Sequence, residues 1–379
     1  MRIGLIAGEA SGDLLGAGLI KAVRERHPGA VFEGVAGPAM LAAGCEQLAD
    51  ADELAVMGLV EPLKRLPRLL GLRRELLARW KAHPPDVFVG VDAPDFNLSV
   101  EKRLRAAGIP TVHYVSPTVW AWRRGRLRTM RRAADRVLCL FPFEEDFLKE
   151  RGIDAVFVGH PKARELAGDY DLAEVRARLG LPAEGSYVAV LPGSRSSEVG
   201  QLAAVFAGAA ARIAADNDRV QFLVPVAAPS LEEPVESAFA EAGVASRTML
   251  FHGSSLDIMR AADVVLQASG TAVLEAALLG KPAVAAYQVA PLTAWLIRSF
   301  GLLKVDFVTM PNLLLDERVI PEFIQEAATA ENLAAAVCEL LADPDRRTAI
   351  RTRFAALREE LAVDSDARAA EAVLEVALR

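Results

Sequence analysis

VVLQASGTAVLEAALLGKPAV, residues 264–284, contains a complete repeat of a parallel-sheet protein. Val264, Val265 and Leu266 form a short apolar, β-branched run that reads as a buried strand ending at Ala268. Ser269-Gly270-Thr271 makes a tight turn and a helical pattern follows. A second strand then begins near Ala283. Strand, helix and strand in succession are a βαβ unit, which places the two strands parallel in one sheet.

The same alternation runs through all 379 residues. In the first half strands are expected near 2–7, 31–36, 87–91, 111–115, 136–141 and 155–158. In the second they fall near 187–191, 220–226, 248–251, 263–267, 283–287 and 306–309. Amphipathic segments such as LLGAGLIKAVRERH (14–27) and AAVFAGAAARIAAD (203–216) lie between them. About six strands per half favour two doubly wound α/β sheets, since a single (β/α)₈ barrel usually needs only about 250 residues. The polar stretch 162–186 marks the boundary. Three regions are expected: a first domain over 1–165, a second over 166–343, and terminal helices over 344–379 left free to pack back on the first domain.

Composition excludes several classes. The chain is 52% hydrophobic and 6% aromatic, as buried parallel strands require. A net charge of −7 argues against general nucleic-acid binding. Cys45, Cys139 and Cys338 are scattered, and the histidines show no HxxxH spacing, so neither a disulfide framework nor a metal site is expected. MRIGLIAGEASGD lacks the features of a signal peptide, and no run approaches about 18 apolar residues, so a cytoplasmic chain without a membrane span is expected.

In open α/β sheets ligands bind beyond the carboxyl ends of the strands, where the unusual residues collect here. In the second half, backbone N–H groups at the helix start after Gly270 suit a phosphate, and Glu275 lies one turn beyond Thr271. The plain alternative is that Ser269 or Thr271 only caps that helix. AVLPGSRSSEVG (189–200) offers a second anion turn through Gly193, Ser194 and Arg195, although it matches neither the P-loop nor the dinucleotide fingerprint. In the first half, GVDAPDFN (90–97) follows a strand with Asp92 and Asp95. Either can serve as a general base, or both can be structural, with Asp95 capping a helix. Glu9 and Ser11 follow the first strand and suit a sugar or phosphate; equally, Ser11 and Asp13 can cap the first helix. Trp120 and Trp122, with Arg123 and the arginines after it, suit stacking on a phosphorylated ligand. In MGLVEPLKRLPRLLGLRRELLARW (57–80), Leu63, Leu66, Leu69 and Leu70 interleave with basic residues. That pattern fits either a core-facing helix or a surface lying on an anionic bilayer. Pro62 and Pro67 are expected to break its first part and tilt the reading toward an exposed surface.

AGEASGDLLGAGLI, VAGPAM, ELAVMGLVE, DVFVGVDAPDFN, HYVSPTVWAW, LPGSRSSEV, ASGTAVLE and MPNLL occur in that order. Together they closely resemble the lipid-A-disaccharide synthase family of Gram-negative bacteria over nearly the whole chain. The resemblance implies an inverting glycosyltransferase of GT-B arrangement, with two Rossmann-like domains facing a cleft. The donor would be UDP-2,3-diacylglucosamine and the acceptor 2,3-diacylglucosamine 1-phosphate, whose 6-hydroxyl attacks to give a β-1,6 disaccharide phosphate and UDP. It implies no metal or other cofactor. Asp92 matches the family's proposed catalytic aspartate, with Glu9 and Ser11 beside it, while Arg195, Glu275 and Asn312 match positions attributed to the UDP-sugar. The first domain would face acceptor and membrane, the enzyme lying on the inner face of the inner membrane; a homodimer is left open. A UDP-N-acetylglucosamine epimerase or a soluble-sugar glycosyltransferase of the same fold is the alternative.

Overall fold

The computed structural model describes residues 1–54, 61–121, 125–289 and 307–379, with side chains of 61–65 also outside the description. It divides into two compact units, Met1–Pro161 with Leu361–Arg379, and Lys162–Glu360.

The first unit carries β1 (Arg2–Ala7), β2 (Val31–Ala36), β3 (Glu46–Asp50), β4 (Val87–Val91), β5 (Thr111–Tyr114), β6 (Arg136–Cys139) and β7 (Ala155–Phe157). They form one sheet in the order β3-β2-β1-β4-β5-β6-β7, parallel throughout. Ile3, Leu5, Val87 and Val89 are fully buried, because helices cover both faces. The helices Ala10–Arg26 and Ser365–Ala377 pack on one face. Trp80, Leu76 and Leu72 of the helix Glu61–Ala82 fill the other with Phe88, Val100 and Leu104.

The second unit carries β8 (Ser186–Leu191), β9 (Val220–Val226), β10 (Thr248–His252), β11 (Val264–Ala268), β12 (Ala283–Tyr287) and β13 (Glu322–Ile324). Their order is β10-β9-β8-β11-β12-β13, again parallel. The helix Ser196–Asp216 has 21 residues and a mean hydropathy of 1.2, long and apolar enough to cross a bilayer. Val199, Leu202, Phe206, Ala209, Ala210 and Ile213 nevertheless form a buried stripe, and the helix packs against Glu232–Glu241 and Ala330–Ala342. It is a core helix.

Four expectations change. The run at 306–309 is no strand in its described part: Thr309 starts the helix Met310–Leu315, and the sheet gains β13 instead. The edge strand β3 adds a seventh strand to the first unit. Pro62 and Pro67 do not interrupt Glu61–Ala82: Pro62 sits in its first turn, while Pro67 lies inside the helix, which continues through it. In the first turn the missing N–H has no partner within the helix, so Pro62 costs little, whereas Pro67 gives up one i→i−4 bond that the buried face of the helix, Leu72, Leu76 and Trp80, outweighs. The terminal stretch is shared: Pro344–Leu361 lies in the second unit up to Glu360, whereas Ser365–Ala377 lies in the first. Gly18 makes room for the latter, because a Cβ there would sit 2.3 Å from an Asp366 carboxylate oxygen.

Candidate active site

In each sheet the chain order reverses at one place, between β1 and β4 in the first unit and between β8 and β11 in the second. At such a switch point neighbouring crossovers run to opposite sides and leave a crevice beyond the strand ends. The candidate loops follow these four strands: Glu9 and Ser11 after β1, Asp92 after β4, Gly193–Arg195 after β8, and Ser269–Thr271 after β11.

The turn after β4 is conformationally unusual. Asp92 and Ala93 both adopt left-handed backbone angles, with φ of 51° and 41°, and Val115 after β5 has φ 79°. Such angles disfavour non-glycine residues, above all a β-branched one. The surroundings hold them in place. The Asp92 N–H donates to the Tyr114 carbonyl at 2.8 Å. Buried Asn97 donates its amide to the carbonyls of Asp92 at 2.8 Å and Val91 at 3.2 Å. Gly8 lies against Ala93, where a Cβ would approach to 2.8 Å. Asp92 itself is half-buried, and among the described residues no cation or donor meets its carboxylate. Asp95 is exposed and pairs with Arg126, and the helix Pro94–Arg105 has no side-chain cap, so Asp95 does not act as one.

Glu9 and Ser11 are exposed at the start of Ala10–Arg26, and neither the Glu9 N-cap nor any side chain caps that helix. Asp13 does cap a helix, but another one. Its buried carboxylate accepts from the N–H groups of Gly37, Ala39 and Met40, opening Pro38–Ala42. Trp120 is half-buried, donates to Glu144 at 3.1 Å and stands edge-on to Phe143. It is anchored in an aromatic wall rather than free to swing onto a ligand. Trp122 and Arg123 lie outside the described residues, as does the side chain of Leu63. Leu66 is exposed, while Leu69 and Leu70 are half-buried.

The second unit gathers its candidates around one cavity of about 540 Å³. Gly193, Ser194, Arg195, Ser269, Gly270, Thr271 and Glu275 all line it. No side chain caps the helix Thr271–Leu278, so the capping alternative for Ser269 and Thr271 does not hold, and the first turn lines the cavity uncapped. Gly270 has an extended backbone and a Cβ there would touch nothing. Neither strain nor packing requires glycine there, and its absent side chain leaves the backbone open to a ligand.

The loop after β8 differs from the sequence reading. Its Ser194 and Arg195 N–H groups already donate to Glu198 at 3.0 and 3.3 Å. Glu198 therefore occupies these two backbone donors and also pairs with the mostly exposed Arg195 guanidinium at 3.4 Å, so an anion here competes with Glu198 for that cation. The signal was present in the sequence as a glutamate at the third helical position, the mark of a capping box. Gly193, at φ 127°, packs on Glu198 so closely that a Cβ would meet it at 2.5 Å. Glu275 is half-buried. Burial raises its carboxyl above the ordinary value, the Glu165 charge adds to this, and Lys162 opposes it. Pro225, Ala227, Gly253 and Ser255, from the ends of β9 and β10, complete the lining and carry no motif.

Asn312 does not line this cavity. It is fully buried, donates to the Ile320 carbonyl and Glu322 at 2.9 Å each, and accepts from the Ile320 N–H at 3.0 Å. Its amide is committed to holding the turn before β13.

Comparison with known proteins accounts for this arrangement. Residues 3–376 match the model of the family described as lipid-A-disaccharide synthetase. The chain belongs to the lipid-A-disaccharide synthase family. A member from Alkalilimnicola ehrlichii is 50% identical over 379 residues, covering 100% of this chain and 99% of that one. Membership makes the chain a UDP-sugar-dependent glycosyltransferase of lipid A synthesis. Among solved structures, a glycosyltransferase from Rickettsia africae superposes with a TM-score of 0.62 at 12% identity, covering 99% of this chain and 97% of that one. UDP-GlcNAc 2-epimerase from Neisseria meningitidis, bound to UDP-GlcNAc, gives 0.63 at 11% identity with 100% of both chains covered. At such identities these likenesses establish the two-domain GT-B fold and carry no activity.

Proposed function

We propose that this chain joins UDP-2,3-diacylglucosamine to 2,3-diacylglucosamine 1-phosphate through a β-1,6 bond, with inversion and release of UDP. Family membership over residues 3–376 carries the reaction, and the cavity between the ends of β8 and β11 supports the donor assignment. There the diphosphate meets Arg195 and the start of Thr271–Leu278, which stabilise the negative charge that builds as UDP leaves. Glu275 accepts hydrogen bonds from the ribose hydroxyls. Asn312 acts at a distance by fixing the turn before β13.

The first unit supplies the base. Asp92 takes the proton of the acceptor 6-hydroxyl as it attacks the anomeric carbon, so the nucleophile gains charge only as the leaving group departs. Glu9 and Ser11, after the neighbouring strand, contact the sugar. Trp120 forms part of the wall beside it. Both substrates carry acyl chains, and Leu66, Leu69 and Leu70 at the start of Glu61–Ala82 meet the inner leaflet, placing the enzyme on the cytoplasmic face of the inner membrane.

The test is direct. Purified protein with both substrates in neutral detergent micelles yields disaccharide phosphate and an equal amount of UDP. Folded protein that binds UDP yet forms no disaccharide refutes the reading.

A further inference from the structure

The structure points to a second anion site, on the first unit, that the donor cavity does not explain. A cavity of about 310 Å³ runs along one side of the helix Pro94–Arg105, where Ser99 and Lys102 face Arg126 and Thr129 of the next helix. At its edge the guanidinium groups of Arg73 and Arg103 both donate to the Ser99 hydroxyl at 3.0 Å. Two cations sharing one neutral oxygen is an unsettled arrangement. Elsewhere in this unit arginines of similar burial meet carboxylates, as Arg79 and Arg2 meet Glu33 and Arg105 meets Asp135. Among the described residues no carboxylate pairs with Arg73, Lys102 or Arg103. Burial, and then the charges of Arg103 and Arg74, lower the Arg73 pKa, as expected where positive charge collects without a counter-ion.

We propose that this cluster seats a phosphomonoester, and specifically the 1-phosphate of the acceptor. The assignment rests on the reaction proposed above. Ser99 spends both lone pairs on the two arginines and keeps its hydrogen to donate to a phosphate oxygen. Thr129 adds a second hydroxyl, and Lys102 and Arg126 add charge, the latter shared with Asp95 at the cavity's near end. The position fits the substrate. Asp92 lies just before this helix, and Ser99 is roughly 7.5 Å along it from Pro94 at 1.5 Å per residue. A hexose offering its 6-hydroxyl to Asp92 carries its C1 substituent across the ring, toward Ser99. Recognition there explains how an acceptor is told from a donor: only the acceptor presents a terminal phosphate.

The experiment uses the full chain with Lys102→Gln and Arg103→Gln combined, both residues being exposed. Steady-state rates are measured in neutral micelles at saturating donor, with the acceptor and with the same diacylated sugar lacking its phosphate. Loss of charge-assisted hydrogen bonds should raise the KM for the phosphorylated acceptor about 10–100-fold. kcat, the donor KM and the rate on the phosphate-free sugar should stay nearly unchanged. An equal loss on both acceptors, or none on the phosphorylated one, overturns the proposal. So does a defect confined to binding phosphatidylglycerol vesicles, which would assign the cluster to bilayer headgroups. Should wild-type protein form no disaccharide, the reaction reading fails separately. Titration with glucosamine 1-phosphate then decides the site: weaker binding by the double variant sustains it, and equal binding refutes it.

Discussion

Glu144 offers a test of how the wall around Trp120 is held. It is the third residue of the helix Pro142–Lys149 and only 3% exposed. One carboxyl oxygen accepts from Trp120 Nε1 at 3.1 Å and the other from the Phe141 N–H at 3.3 Å. Burial dominates these bonds and pushes the carboxyl from 4.5 up to about 8. The folded chain therefore holds this proton more tightly than the unfolded one. Between those two pH values folding takes up a proton, so the Glu144 contribution to stability falls as pH rises. The slope approaches about 1.4 kcal/mol per pH unit, and the whole interval amounts to about 5 kcal/mol. Glu144→Gln keeps an oxygen for Trp120 and has no charge to bury. Urea unfolding of both proteins at pH 5, 6, 7 and 8 isolates the effect, because other titrating groups cancel in the difference. The variant should gain on the wild type by roughly 1 kcal/mol per unit across that range. Parallel curves would show that Glu144 ionises freely in the fold, and the reasoning from burial would be wrong.

Four further outcomes are expected. Asp92→Asn, which keeps a residue tolerant of left-handed backbone, should lower kcat about 10²–10⁴-fold and leave UDP affinity unchanged, as read by single-turnover rates and calorimetry. Arg195→Ala should weaken UDP binding about 10–100-fold in the same calorimetric titration, since the mostly exposed guanidinium, held by Glu198 at 3.4 Å, can turn to a diphosphate oxygen. Asn312→Ala should cost about 2–4 kcal/mol in urea unfolding, because it strands the Ile320 backbone groups and Glu322; a fully stable variant with weak donor binding would instead make Asn312 a direct contact. Replacing Leu66, Leu69 and Leu70 by serine should reduce flotation with anionic vesicles while leaving turnover in micelles intact, and unchanged flotation would remove that surface from the membrane.

What the sequence revealed follows burial. Strands covered on both faces, such as RIGLIA of β1 and SYVAVL of β8, carry their apolar runs openly. The edge strands β3, EQLAD, and β13, EFI, are half-exposed and have no such run, so nothing local announces them. DFVT at 306–309 has the composition of a strand, but its described part meets a different partner. The Glu322 carboxylate accepts the N–H groups of Val308 and Thr309, a contact set by the fold and invisible to local pattern. The prolines of Glu61–Ala82 misled for two reasons: Pro62 falls in the first turn, where it costs little, and the cost of interior Pro67 is outweighed by the packing of Leu72, Leu76 and Trp80. The chemistry-bearing loops were legible for a simpler reason. Small, polar and acidic residues at the ends of apolar strands stand out in any α/β sequence. Which of them contact a ligand was not, since Glu198 and Asn312 differ only in what their side chains reach.

The contrast between Asp92 and Asp95 shows what geometry adds to that list. Both are acidic, three residues apart, after one strand. Asp95 is on the helix, its carboxylate is 82% exposed, and it spends its charge on Arg126. Asp92 stands where β4 meets the switch point, half-buried, on backbone angles that cost on the order of 1–3 kcal/mol for each such residue. Three neighbours sustain that conformation: the Tyr114 carbonyl, the Asn97 amide and the close approach of Gly8. None of them touches the carboxylate. A fold that devotes a buried amide and a glycine to bending the chain here, while leaving the acid itself unengaged among the described residues, is arranged to present that acid to something else. A general base needs this combination of a fixed position and an unspent lone pair, whereas the exposed Asp95 carboxylate is engaged by Arg126.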